Sequence, residues 1–219
     1  HILDFLNQKQ KDIEEEKDMK ITDSLGSQWP TDYDNKTIIY IDGGPCGNLF
    51  TYNLTNQNSS LITEHACYAK ISGNNIIWEY GDSIYGYDTN KNIEFTITTS
   101  GGHPDIYGNK AVWLSIEDNV TAVHLKNLKN GKEQVLYQTS DYGITWPAIS
   151  QRYVVWGKTT EQHMAGVEGI DLITDDTFEI QEQGLHQNGV VAPQIEGDIV
   201  AWMSWRTGNG DIYAANINK

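Results

Sequence analysis

The sequence predicts an all-β fold, a five-bladed β-propeller of four-stranded antiparallel blades. Three observations predict it. A short phrase recurs five times, in the stretches Thr31-Asp32-Tyr33 to Tyr40, Ala69-Lys70-Ile71 to Trp78, Pro104-Asp105-Ile106 to Trp113, Pro147-Ala148-Ile149 to Trp156 and Pro193-Gln194-Ile195 to Trp202. Each is a small or proline residue, an apolar residue two later, a polar turn, and an apolar run closed by Tyr or Trp. The closing aromatics Tyr40, Trp78, Trp113, Trp156 and Trp202 are separated by 38, 35, 43 and 46 residues, the period of propeller blades. After each aromatic comes a segment that alternates with period two, the mark of a strand.

The elements follow in chain order. Residues 1–17 read as a short helical extension, because Ile2, Leu3, Phe5, Leu6 and Ile13 share one helical face ahead of the acidic run Glu14-Glu15-Glu16. Its apolar patch suits packing on its own domain or docking to another subunit. Residues 18–219 form the propeller. Each first strand ends at a polar pair such as Gly73-Asn74, Gly108-Asn109 or Gly197-Asp198, residues that accept positive φ in a tight hairpin. Second strands fall at 37–41, 75–79, 111–114, 153–157 and 199–203. Third strands include Leu49-Phe50-Thr51-Tyr52, Ile84-Tyr85-Gly86-Tyr87 and Ile212-Tyr213-Ala214-Ala215; fourth strands fall at 60–63, 94–98, 134–137 and 177–180. The fifth repeat stops after its third strand. The N-terminal stretch Met19-Lys20-Ile21-Thr22-Asp23-Ser24 matches Phe95-Thr96-Ile97-Thr98-Thr99-Ser100, so it is expected to close the ring as the missing strand.

Composition narrows function. The chain has 219 residues and a formal charge of −15, with 30 acidic and 15 basic side chains. That balance argues against nucleic acid, whose phosphates select clustered Lys and Arg, and disfavours an anionic membrane surface. No apolar run approaches the roughly 20 residues a bilayer span needs. The chain starts at His1, as it would after removal of a leader or anchor, or after trimming.

The pattern Pro-x-Ile-x-Gly-x-x-x-x-Trp, as in Pro104 to Trp113 and Pro193 to Trp202, with the third-strand triplet Asp211-Ile212-Tyr213, resembles the TolB-like propeller repeats of bacterial and archaeal surface proteins. The resemblance covers residues 18–219. It implies a propeller of the kind used in periplasmic assembly, surface layers and adhesion, and it leaves the activity open. The first repeat departs by lacking the Gly and shifting its proline to Pro30; the fourth has Gln151-Arg152 at the turn.

A propeller sorts its loops by side. Blade-to-blade links and second-to-third loops share what we term the upper face; the other turns share the lower face. Cys46 and Cys67 both map to the upper face of adjacent blades, so a disulfide and an oxidising compartment are expected. Sequons at Asn35, Asn53, Asn58 and Asn119 suit glycosylation, the first three in lower-face turns. Upper-face candidates for ligand binding are Trp205, Arg206, Trp29, Trp146, Tyr142 and His103, aromatics that suit sugar stacking or a protein hot spot. Trp29 and Trp146 also suit a wedge between blades. His65, His103 and His186, in blade-to-blade links, and His163, in a second-to-third loop, come from different blades with no ligand spacing, so neither metal nor cofactor is expected.

Thr139-Ser140-Asp141-Tyr142-Gly143-Ile144-Thr145-Trp146 matches the Asp-box pattern of sialidase propellers, but once only, in a blade-to-blade link, and in a chain whose only arginines are Arg152 and Arg206. We read it as a local turn in which Asp141 bonds backbone N–H groups. First-strand positions that carry carboxylates in five-bladed glycosidases are Asp32, Lys70, Asp105, Ala148 and Gln194 here, and no Ser-His-Asp order or phosphate loop occurs. The expected function is therefore a non-enzymatic extracellular or cell-surface module that binds other surface proteins or its own copies. Alternatives are a lectin using the upper-face aromatics and a small glycosidase using Asp32 and Asp105.

Overall fold

The computed structural model describes residues 19–24, 26–159, 165–180, 192–204 and 208–218. These residues are all β, with no helix. The expected helix at 1–17 lies outside them. Five units follow one another. The first is β1 (Gln28–Asp34), β2 (Thr37–Asp42), β3 (Cys46–Asn53) and the start of β4 (Asn58–Ser72). The second is the end of β4, β5 (Asn75–Tyr80), β6 (Ser83–Asp88) and β7 (Ile93–Thr98). The third is β8 (Gly102–Tyr107), β9 (Lys110–Glu117), β10 (Val120–Asn127) and β11 (Glu133–Thr139). The fourth is β12 (Gly143–Ile149), β13 (Tyr153–Thr159), β14 (Ala165–Asp171) and β15 (Thr177–Ile180). The fifth holds β16 (Gln194–Glu196), β17 (Ile199–Ser204) and β18 (Asp211–Asn216). All pairings are antiparallel.

The first two units merge into one seven-stranded sheet, because β4 serves both. Its N-terminal part pairs with β3 and its C-terminal part with β5, and Cys67 faces Cys46 on one side and Glu79 on the other. The two cysteines form the expected disulfide, with Cα atoms 4.4 Å apart. It clamps the chain where it passes from the outer edge of one unit to the inner edge of the next. The bond points to a non-cytoplasmic location.

Second strands are buried in unbroken runs, as at Ile39-Tyr40-Ile41, Ile76-Ile77-Trp78 and Ala111 to Leu114. Strict alternation is absent in the second, third and fourth units because each is covered by a neighbour on both faces. Four apolar clusters result, each between successive units. Ile39, Ile41 and Leu49 meet Ile71, Ile76 and Trp78; Ile77, Ile84 and Ile97 meet Ile106 and Trp113; Val112, Leu114 and Val123 meet Ile149, Val154 and Trp156; Val155 and Val167 meet Val200 and Trp202.

The closing aromatic of each second strand faces a third-strand residue in register. Tyr40 stacks on Phe50, Trp78 on Tyr85, Trp113 on His124 and Trp202 on Tyr213. Trp156 faces Glu168 instead, and stacks on Tyr137 of the preceding unit.

First strands lie side by side: β1 by β4, β4 by β8, β8 by β12 and β12 by β16. Their polar side chains reach the next unit's backbone. Asp32 accepts from the N–H of Ile71 at 3.0 Å, and Asp105 from that of Ile149 at 2.9 Å. One turn further, Asp34 accepts from Gly73, and Ser72 accepts from Gly108 at 2.8 Å.

The expected closure of the ring is corrected. Residues 19–24 form no strand and lie on the first unit, not on β18. Ser24 donates to Asp42 at 3.0 Å, and the Tyr52 hydroxyl reaches Met19 Sδ at 3.8 Å. Lys20 pairs with Asp23 within the segment. Short polar side chains offer this segment local partners that compete with a ladder. Among the described residues, no apolar cluster joins β16, β17 and β18 to β1, β2 and β3.

Two measurements check this account. Asp105→Ala leaves the Ile149 N–H without its acceptor and is expected to cost about 1–3 kcal/mol in denaturant unfolding. Asp105→Asn keeps an acceptor and loses less. Burial holds the Asp105 carboxyl above its ordinary range against the pull of Lys70. The folded form therefore binds more protons, and its contribution is full below about pH 4 and declines as pH rises through the folded pKa. Asp105→Asn should flatten that decline. Replacing Cys46 and Cys67 by Ser should cost about 3 kcal/mol, the chain-entropy value for a loop of this length.

Candidate functional site

Each of the first three links into a first strand ends in a β-bulge. The ladder slips between Cys67 and Lys70 in β4, between Gly102 and Asp105 in β8, and between Thr145 and Ala148 in β12. The inserted residue has a left-handed backbone: φ is 48° at Tyr68, 54° at His103 and 37° at Trp146. A bulge of this shape favours Gly, and an L side chain there costs about 1–2 kcal/mol. Three aromatic residues stand in that conformation in succession. Their rings touch edge to face, Tyr68 to His103 at 5.3 Å and His103 to Trp146 at 5.4 Å. Tyr68 is 53% exposed. A second pair, His65 stacked on Tyr80 at 4.9 Å, borders the row.

The row is anchored from below. Glu79 accepts from the His103 backbone N–H at 2.7 Å. His103 Nδ1 is itself buried without a hydrogen-bond partner. Beneath the row, Lys70 Nζ lies 3.7 Å from Asp105.

The structure thus joins two sequence candidates, His103 and Trp146, with a third residue, Tyr68, that sequence reading passed over. Aligning the repeats finds it: Pro30, Tyr68, His103, Trp146 and Ala192 stand two residues before the first-strand positions 32, 70, 105, 148 and 194. Trp29 is 52% exposed on β1, not a wedge between units, and makes no ring contact among the described residues. Trp205, Arg206, His163 and His186 lie outside the described residues.

Tyr142 is drawn into a different arrangement. Its hydroxyl donates to Glu168 at 2.6 Å and bonds the Tyr137 hydroxyl at 2.7 Å. Lys158 pairs with Glu168 at 2.7 Å and lies 4.6 Å over the Tyr142 ring, and Trp156 Nε1 donates to Glu168 at 3.2 Å. Burial and the adjacent carboxylate push the Tyr142 hydroxyl above the ordinary phenol range. Tyr142 therefore braces the third unit against the fourth and presents little to a ligand.

The Asp-box match lies between β11 and β12, as expected. In its turn the Asp141 N–H donates to the Thr139 hydroxyl at 3.1 Å, and the Asp141 carboxylate accepts from the Ser140 hydroxyl at 3.5 Å rather than from the expected backbone N–H groups. Asp32 and Asp105, the glycosidase candidates, each hold a backbone N–H of the following unit.

Sequence order also concealed a contact between Ser115, His124 and Glu133. The Ser115 hydroxyl is 2.8 Å from His124 Nε2, and Nδ1 is 3.6 Å from Glu133. Lys126 shares Glu133 at 3.3 Å and donates to the Ile97 carbonyl of the second unit at 2.7 Å. His124 replaces the aromatic of other third strands and stacks on Trp113, so the group ties a polar network into the interface between units.

Among the sequons, Asn35, Asn58 and Asn119 are exposed; the Asn53 side-chain oxygen accepts from Thr55 and Asn56 N–H groups in its turn. No group of His, Cys, Asp and Glu among the described residues is arranged to hold a metal.

No protein-family model matches the sequence, and no curated protein matches it. Solved structures do. The nidogen/laminin complex aligns with TM-score 0.60 at 12% identity, over 83% of this chain and 72% of that one. TolB from Acinetobacter baumannii aligns with TM-score 0.54 at 14% identity, over 89% of this chain and 55% of that one. The β-propeller domain of the Trilobed protease from Pyrococcus furiosus, which has an open velcro topology, aligns with TM-score 0.51 at 10% identity, over 87% and 81%. These similarities define the class as propeller-like.

Burial depresses the His124 pKa below its ordinary value, against the opposing pull of Glu133. The folded form binds fewer protons, so stability present above about pH 6.5 is lost as pH falls through the folded pKa. His124→Phe restores the aromatic of the other units and should remove that loss, read as thermal midpoints between pH 7 and pH 5.

Proposed function

We propose that this protein is a secreted or cell-surface binding module, kin to the TolB-like repeat propellers, whose upper face holds another macromolecule. The observation that carries the reading is the row Tyr68, His103 and Trp146. Three successive bulges place aromatic rings on strained backbone at one mouth of the fold, where glycine would cost less. Strain retained at three equivalent positions is better accounted for by binding than by folding. Aromatic side chains of this kind anchor protein interfaces because they bury much area with few rotors.

The partner on this reading is another surface protein or a second copy of the chain. A binding role, rather than catalysis, is supported by the engagement of Asp32 and Asp105 in backbone bonds. Glycans at Asn35, Asn53 and Asn58 would occupy the lower turns and leave the row open; intact mass of protein from its native source checks this. A lectin is the second reading, favoured by the exposed rings of Trp29, Tyr68 and Tyr80.

The two demands on Tyr68 oppose each other, which makes a direct test. Tyr68→Gly relieves the left-handed backbone and should leave stability unchanged or raise it by up to about 1 kcal/mol. The same change should weaken partner capture at least tenfold, read by cross-linking and quantitative recovery from the native cell surface. Loss of binding to a glycan array, without loss of protein partners, would favour the lectin. Unchanged capture of both would remove the row from the function.

A further inference from the structure

Beside the row lies a cleft of about 470 Å³, between the turn after β5 and the link into β8. Glu79, Asp82, Ser100, Gly101, Ser115 and Ile116 contribute to its wall. We infer that this cleft receives a lysine or arginine side chain of a protein partner. The inference rests on the upper face being the binding face.

Four observations converge. The wall carries two carboxylates and no basic side chain, and among the described residues no cation pairs with Glu79 or Asp82. Glu79 is fixed by the His103 N–H, so the acid is held in place beside the aromatic row. An apolar side chain stands at the rim: Ile116 is 72% exposed. A basic side chain needs that combination, because its alkyl stem covers apolar surface while its head seeks a carboxylate or an aromatic face.

The glycines in the wall supply the fourth. The indole Nε1 of Trp113 is buried and has no acceptor. It lies directly beneath Gly101, where an added β-carbon would come within 2.9 Å of it. At Gly102 an added β-carbon would come 3.0 Å from the Glu79 carboxylate. The two glycines keep the wall bare beside the Glu79 carboxylate. A basic side chain offers the cation those carboxylates lack. The charge of −15 on the whole chain adds long-range attraction for a basic partner, which salt weakens.

The test is NMR titration of the 15N-labelled full chain with three probes: Nα-acetyl-arginine amide, its uncharged analogue Nα-acetyl-citrulline amide, and methyl β-glucoside. The arginine probe should give saturable shifts at the amides of Gly101, Gly102 and Ser115, about tenfold weaker for citrulline and at high salt. Glu79→Gln, which keeps an acceptor for His103, should reduce the arginine affinity about tenfold, as should the exposed change Asp82→Asn. Equal affinity for arginine and citrulline, or no effect of either variant, overturns the inference. Glucoside shifts at Tyr68 and Trp146 without an arginine response would overturn the cation while preserving the upper face. An arginine response untouched by Tyr68→Gly would preserve the cleft and detach it from the row. Silence with all three probes overturns both.

Discussion

The constraint on which the structure depends is the bond from each of the first three first strands, β1, β4 and β8, to the backbone of the next. Asp32 holds Ile71, Asp34 holds Gly73, Ser72 holds Gly108 and Asp105 holds Ile149. Burial supplies more free energy: a fully buried large side chain contributes about 1.5–3 kcal/mol, a net hydrogen bond about 0.5–1.5 kcal/mol. Burial is non-directional, however, and would tolerate a unit sliding along its neighbour. The directional bonds set which residue of one unit meets which residue of the next, and so align the bulges that form the aromatic row.

Within a unit, the corresponding rule is the aromatic of the second strand against the third. Where the rule is kept, as in Tyr40–Phe50 and Trp78–Tyr85, the interface is apolar. Where His124 and Glu168 replace the aromatic, polar networks enter the two interfaces on either side of the third unit. The third and fourth units depart from the repeat by exchanging an aromatic for a titratable group. Their networks engage Lys126, Lys158 and Tyr142, side chains that would otherwise suit an external ligand.

The upper face is where local preference and tertiary demand conflict. A left-handed bulge prefers glycine, yet Tyr68, His103 and Trp146 occupy three of them in succession. Next to them Gly101 and Gly102 stand where a side chain would be blocked by Trp113 and Glu79. One stretch thus projects rings and its neighbour withholds side chains, so a row and a cleft arise side by side from the same links.

By itself, the sequence determined the repeating strand order, the aromatic that closes each second strand, and the meeting of Cys46 with Cys67. All three follow from periodicity, since the pattern within one repeat is local and is read five times. It also marked His103 and Trp146 as upper-face residues. Tertiary structure decided the rest. The segment at 19–24 looks like an outer strand, but its polar side chains find partners on the first unit, which no pattern of alternation reveals. Tyr142 looks like a surface aromatic until Glu168, 26 residues later, claims its hydroxyl. Tyr68 enters the row, and Ser115, His124 and Glu133 come together, because the stitches between units fix a register across the chain. Register between distant strands is a property of packing, and one repeat carries no record of it.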